Sequence, residues 1–307
     1  MKRFEFNYSN KFSCINKECK HNCCIGWDIK IDKKSLDRYK GLKTTDQRFS
    51  DSSFNQNFFS MKDGRCPFLD GDNLCHIIKN YGEKSLCTTC KTHPRFKSFF
   101  TGATETGLGL YCEHACKIIL SQKEKMKLVL VKGDNKPNAF TKHEKTVLSF
   151  RKKVINILQN RKLSITDRIS LLQSLTQIDL NKKSFSDWIN AFCDLEKLQI
   201  NDFSFDNLKT HSSFSPIVNG FDLEYEQLLC YLSFRHLSRA IDSLDLRVRL
   251  AFVILSFYVI NQIFYYSLDK SLETLVEACR FYSSEIETND DNIYALIDHI
   301  ESLVSFI

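Results

Sequence analysis

From residue 141 onward the apolar positions recur every three and four residues. Val147, Phe150, Val154 and Leu158 make one such stripe, and Ile165, Ile169 and Leu172 make another behind Ser164, a suitable N-cap. The spacing predicts helices there, and longer, more apolar ones over roughly 222–241, 245–266, 270–285 and 291–305. The stretch "LVLVKGDNKP" at 128–137 reads as a short strand and turn. "NDFSFDNLKTHSSFSPIVNG" at 201–220 is rich in Ser, Asn and Asp and reads as a loop. The most apolar window starts at Leu250 and is broken by Asn261 and Gln262 after eleven residues. A membrane span needs about 20, so the window predicts a buried helix and no span.

Before residue 117 the texture differs. Ten of the thirteen cysteines, eight of the ten glycines and two of the four prolines lie there, among short runs without helical periodicity. The expected fold is therefore mainly α. A cysteine-rich metal-binding region of short irregular elements, residues 1–125, is expected to pack on a mostly helical region, residues 126–307, that forms the substrate and cofactor pocket. Cys193, Cys230 and Cys279 sit singly among apolar neighbours and read as small buried hydrophobes.

With 307 residues, 43% of them hydrophobic, the chain can bury a substantial core. Its net charge of +6 comes from 43 basic and 37 acidic residues that are interspersed, so no nucleic-acid partner is expected. The start, "MKRFEFNYSNKFSC", lacks the apolar stretch of a secretory signal, and a cytoplasmic location is expected. The cytosol keeps thiols reduced, which turns the cysteines from disulfide partners into metal ligands.

The cysteines are spaced C-x4-C-x3-C-C from Cys14, C-x8-C-x11-C-x2-C from Cys66, and C-x3-C from Cys112. Thiolates so closely spaced converge with little loop-closure cost, and soft sulfur favours zinc or iron–sulfur over hard cations. Only "CTTC", Cys87 to Cys90, has a C-x2-C form. The excess of cysteines suits an all-thiolate iron–sulfur site, and eight or more would permit two sites. His21, His76, His93 and His114 are nitrogen donors nearby, each also readable as a surface or hydrogen-bonded residue. The adjacent Cys23 and Cys24 can serve one metal only if the backbone turns sharply between them; otherwise they serve different centres. The C-x3-C-x2-C triad of radical chemistry is absent, because Gly26 and Ile119 stand where its third cysteine would be.

The order of these pieces resembles the flagellin lysine-N-methylase family, with its zinc- or iron-chelating cysteine module. The matching stretches are "CINKECKHNCCIGWDIKIDKKSLDRY", "DGRCPFLDGDNLCHIIKNYGEKSLCTTCKTHPR", "LYCEHACKIIL" and the late "CRFYSSEIETNDDNIYAL". The resemblance implies transfer of methyl groups from S-adenosylmethionine to flagellin lysines, with a [4Fe–4S] cluster, or zinc in its place. It implies as metal ligands Cys14, Cys19, Cys23, Cys24, Cys66, Cys75, Cys90 and Cys112, with Cys87 and Cys116 outside the shared set. Cys112 is followed by Glu113 and His114 where the family usually reads Cys-Pro-Glu, and Thr288 follows Glu287 where an aromatic or His is commoner.

A lysine amine has an ordinary pKa near 10.4 and must be neutral to attack a methyl sulfonium. Tyr282, Glu285 and Glu287 cluster at a predicted helix end and are the candidate catalytic groups around it. Arg235 and His236, polar positions inside "LLCYLSFRHLSRAI", are the candidates for holding the cofactor. No G-x-G-x-G loop follows a strand. The competing readings are a non-catalytic metal-stapled interaction module and, less economically for so large a helical region, an electron carrier.

Overall fold

The computed structural model describes residues 1–133, 139–198 and 203–304. It divides into two compact units. One comprises Ser13–Phe96 with Cys112–His114; the other comprises Met1–Phe12, Lys97–Tyr111 and the chain from Ala115 onward. The boundary expected at residue 125 thus falls elsewhere, and strand pairing is the reason.

Among the described residues six strands form: β1 (Lys2–Phe6), β2 (Phe54–Asn55), β3 (Phe58–Phe59), β4 (Arg95–Phe100), β5 (Ala103–Leu108) and β6 (Leu128–Lys132). β1 lies parallel to β5, with Lys2 opposite Ala103 and Glu5 opposite Thr106, and antiparallel to β6. The sheet order β4-β5-β1-β6 therefore places both ends of the cysteine-rich segment in strands of the helical unit. Parallel neighbours need a long crossover, and here residues 13–96 supply it. All six positions of β5 are buried although it reads ATETGL. Its Glu105 is paired with Arg151, whose guanidinium nitrogens stand 2.7 and 2.6 Å from the carboxylate. Arg151 in turn lies over the Phe234 ring at 4.8 Å.

In the cysteine unit the helices are α1 (Lys33–Gly41), α2 (His76–Tyr81) and α3 (Thr88–Thr92). α4 (Glu113–Leu120) begins there and continues into the helical unit. The helical unit holds α5 (Lys142–Leu158), α6 (Ile165–Thr176), α7 (Phe185–Cys193), α8 (Asp222–Leu237), α9 (Ser243–Tyr265), α10 (Leu272–Tyr282) and α11 (Asp290–Glu301). The mainly α architecture is as the periodicity predicts, and Ser164 does cap α6 by accepting from the Asp167 N–H. α7 is an addition: a capping box of Ser184 and Asp187 starts it, and it buries Trp188. The strand of 128–137 forms as β6; residues 134–137 of that stretch lie outside the described residues, as do 201–202 of the expected loop. The rest of that loop contains one short helical turn, Phe205–Thr210.

α9 is the hub of the helical unit, packed against α5, α6, α8, α10 and α11. It is long and apolar enough by length and composition to cross a membrane, but 89% of its most apolar window is buried inside the protein. Asn261 and Gln262, which interrupt the apolar run, are buried too. Each satisfies loop backbone: Val218 N–H donates to Asn261 Oδ1 at 3.1 Å and Ser215 N–H to Gln262 Oε1 at 2.7 Å. Buried amides persist because such bonds offset their desolvation. Cys230 and Cys279 are fully buried as expected, whereas Cys193 is partly exposed beside Asp206 and Lys209.

The cysteine unit has its own small core. Tyr39, Phe49, Phe59 and Phe68 pack with Ile29, Ile31 and Ile77, and the rings of Phe49 and Phe68 stand 4.7 Å apart. The Tyr39 hydroxyl donates to Ser85 O at 2.7 Å, tying α1 to the segment that leads into α3.

Candidate metal centre

The cysteine unit gathers nine of the thirteen cysteines: Cys14, Cys19, Cys23, Cys24, Cys66, Cys75, Cys87, Cys90 and Cys112. All eight expected ligands are among them. Cys87 is the ninth, and its signal in the sequence was the C-x2-C spacing to Cys90. Cys116 belongs to the helical unit, where it is buried and its thiol faces Val276 O at 3.7 Å.

Local structure sets each thiol. Asp32 accepts from Ser35 N–H at 3.1 Å, capping α1, and from Thr88 N–H at 2.8 Å at the start of α3. The Thr88 bond, with those of Ser35, holds the Asp32 carboxyl far below the usual carboxylate range. α3 is thereby fixed so that Cys87, its N-cap, and Cys90, three residues on, share a face. Asn22 makes the turn that the cysteine pair requires: its Oδ1 accepts from Cys24 N–H at 2.9 Å and its carbonyl from Ile25 N–H at 3.1 Å. Cys24 O then accepts from Cys66 N–H at 2.9 Å, joining the first cysteine group to the second. Glu113, directly after Cys112, accepts from the backbone N–H groups of Lys20 and His21 at 3.0 and 3.2 Å, joining the third group to the first.

The electrostatics suit metal exchange for protons. Burial pushes the thiols up, Cys19 to about 12 with help from Glu113, and Cys66 to about 12 despite the Phe68 N–H beside it. Backbone N–H groups also reach Cys14 from Asn16, Cys75 from Ile78 and Ile77, and Cys87 from Cys90 and Thr89. Such donors stabilise thiolate charge once a cation has displaced the proton. The hydrogen bond between Cys87 and Cys90 lowers the Cys87 thiol and raises that of Cys90. Buried sulfur donors backed by amide N–H groups therefore fit a thiophilic metal. Among the described residues no three thiol sulfurs lie within 4.8 Å of one another, whereas zinc with Zn–S near 2.3 Å draws its sulfurs to about 3.8 Å. Of the histidines, His93 is hydrogen-bonded to Cys23, while His76 is committed to Asp46 at 2.6 Å and to Asn80.

Of the five residues expected around the amine and cofactor, three come together. Glu287 is buried, with its carboxylate 2.8 Å from His236 Nε2, 3.1 Å from Arg235 Nε, 2.9 Å from the Tyr231 hydroxyl and 2.5 Å from the Ser283 hydroxyl. The π-helical turn Ser283–Glu287 at the end of α10 brings Ser283 and Glu287 to this spacing. Burial works to raise the Glu287 carboxyl, but Arg235 and the His236 bond carry it down to about 2. Burial lowers the His236 imidazole against the pull of Glu287. Such a saturated carboxylate is a structural anion and a poor proton acceptor. Tyr282 is elsewhere in the core, donating to Ser256 Oγ at 2.6 Å. Glu285 accepts from Leu198 N–H at 3.0 Å and lines a cavity of about 180 Å³ with Phe192, Phe205 and Phe281. A larger, open groove of about 410 Å³ on α5 and α6 touches none of the five.

Residues 13–117 match the family described as "CxxCxxCC: Putative zinc- or iron-chelating domain". The chain is 30% identical over 132 residues to the Lysine-N-methylase of Salmonella typhimurium, covering 39% of this chain and 33% of that protein. It is 30% identical over 128 residues to the Lysine-N-methylase of Salmonella choleraesuis, covering 38% of this chain and 32% of that protein. It is 29% identical over 143 residues to the Flagellar biosynthetic protein FliU of Salmonella muenchen, covering 43% of this chain and 81% of that protein. The chain thus spans about a third of the length of the lysine-N-methylases it matches. No solved structure matches it significantly. Residues 13–117 thus match a chelating domain, and the chain is similar over part of its length to proteins named Lysine-N-methylase.

Proposed function

We propose that this protein is a cytoplasmic protein-lysine N-methyltransferase that uses S-adenosylmethionine to methylate flagellin and holds a [4Fe–4S] cluster on its cysteine unit. The carrying observation is that nine cysteines of one compact unit lie within the chelating domain of a chain similar to proteins named Lysine-N-methylase. S-adenosylmethionine supplies an electrophilic methyl group, and the chain must desolvate a lysine amine and orient it. The cavity of Phe192, Phe205, Phe281 and Glu285 has the composition for this, with aromatic walls for an alkyl ammonium and a carboxylate beside it. The Glu287 network instead braces α8 against α10.

The second reading, a metal-stapled flagellar module without catalysis, is favoured by the FliU similarity and by the separate core of the cysteine unit. Anaerobic purification with metal and sulfide analysis, followed by incubation with flagellin and S-adenosylmethionine, separates the two. The expected outcome is a brown, dithionite-bleachable protein that adds methyl-sized mass increments to flagellin lysines. A colourless zinc protein that transfers no methyl refutes the proposal.

A further inference from the structure

We propose that β6 is a docking edge for an extended acidic segment of a partner protein, which adds to the sheet as a further strand. β6 ends the sheet order β4-β5-β1-β6, and among the described residues β1 is its only strand neighbour. The ladder fixes which groups face out. Asn7 N–H donates to Lys127 O at 3.0 Å, so Lys127 faces β1, and inward-facing residues alternate along an antiparallel pair. Val129, opposite Glu5, therefore also faces β1, while Leu128 and Leu130 direct their N–H and C=O groups to the open side.

Side chains supply the selection. Val129 and Val131 are 42% and 45% exposed, an apolar pair on a strand with an open edge. The chain around them reads KEKMKLVLVK from 123 to 132, and Lys123, Lys125, Lys127 and Lys132 are all exposed, against Glu124 alone. Glu5, the acidic group opposite Val129, is itself paired with Arg3 at 3.4 Å. Lysines along an edge keep copies of the same chain apart, since a twofold β6 pair would set them against one another. The same charges favour a strand that carries carboxylates, with main-chain bonds for affinity and alternate side chains for choice. The occupant is therefore an acidic peptide with apolar residues at alternate positions, and not a second copy. The surface lies within the helical unit and needs neither metal nor methyl transfer.

The test uses the full chain and fluorescein-labelled peptides read by anisotropy. A peptide of alternating glutamate and valine is expected to bind, more weakly as salt rises, and to slow hydrogen exchange over 128–132. The same peptide N-methylated at alternate amides cannot form the ladder and is expected not to bind. Lys125→Glu with Lys127→Glu turns two exposed attractions into repulsions and is expected to weaken the acidic peptide about tenfold. The same double variant is expected to admit a lysine–valine peptide that the unmodified protein refuses. Both lysines are exposed, so the variant is expected to keep native circular dichroism. Absence of binding by the acidic peptide, or equal binding of its N-methylated form, overturns the proposal. So does a concentration-dependent dimer that Val129→Lys dissolves, the sign of a second copy on the edge.

Discussion

Glu287 sits at the meeting point of four donors, and His236 is the one among them whose charge changes near neutral pH. Burial holds His236 below its usual value, so the folded protein keeps it neutral with Glu287, Arg235 and Arg239 facing it and the Phe252 ring at 4.9 Å. The unfolded chain takes up that proton as pH falls below about 6.5, so this contribution is complete above that pH and is lost as pH drops towards the folded value. Glu287 stays ionised throughout, since its carboxyl titrates at about 2. The helical unit is therefore expected to lose up to about 1.4 kcal/mol per pH unit below 6.5 through this group. Thermal midpoints at pH 7.5 and 5.5 check it: His236→Gln, which keeps a donor for Glu287, flattens the slope, and an unchanged slope contradicts the assignment. Arg235, His236 and Glu287 were legible as polar residues in apolar stretches. Their meeting was not, because it depends on the π-helical turn after Tyr282, which no spacing rule signals. The same turn separates Glu287 from Glu285, which the sequence had grouped.

Among the α-helices, the shortest carries the most chemistry. α3 has five residues and could not persist alone; Asp32, a residue of another element, starts it. Asp32→Ala removes bonds to Thr88 and Ser35, and a lost cap of this kind costs about 1 kcal/mol. The expected result is faster metal loss to a chelator, several-fold, with the circular dichroism of the helical unit unchanged; equal release rates would count against the coupling. The long helices were readable because their apolar stripes and their Ser, Thr and Asp caps agree. β1, β4 and β5 were not. β5 is buried on all six positions, so it lacks alternation, and its partner β1 lies about a hundred residues away in sequence. Cys87 could have been found from the C-x2-C spacing alone.

At the scale of the whole molecule, the two units have separate cores and separate means of support. An aromatic core around Tyr39, Phe49 and Phe68 supports the cysteine unit, while α9 and its neighbours fill the helical one. Calorimetry of the metal-loaded protein is expected to resolve two transitions. Metal removal should lower the first by several degrees or abolish it, leaving the second within a degree or two; one transition that shifts as a whole excludes this. The cysteine-rich composition made the first unit visible in the sequence, but its edges were hidden because pairing between distant strands draws them. That topology also sets an order of birth. On the ribosome β1 emerges about a hundred residues before β5, some 5–20 seconds at usual synthesis rates of roughly 5–20 residues per second. Cys112 emerges only after β5. The parallel ladder can therefore close while the sulfur set still lacks its last member, and metal delivery completes a chain whose sheet is already committed.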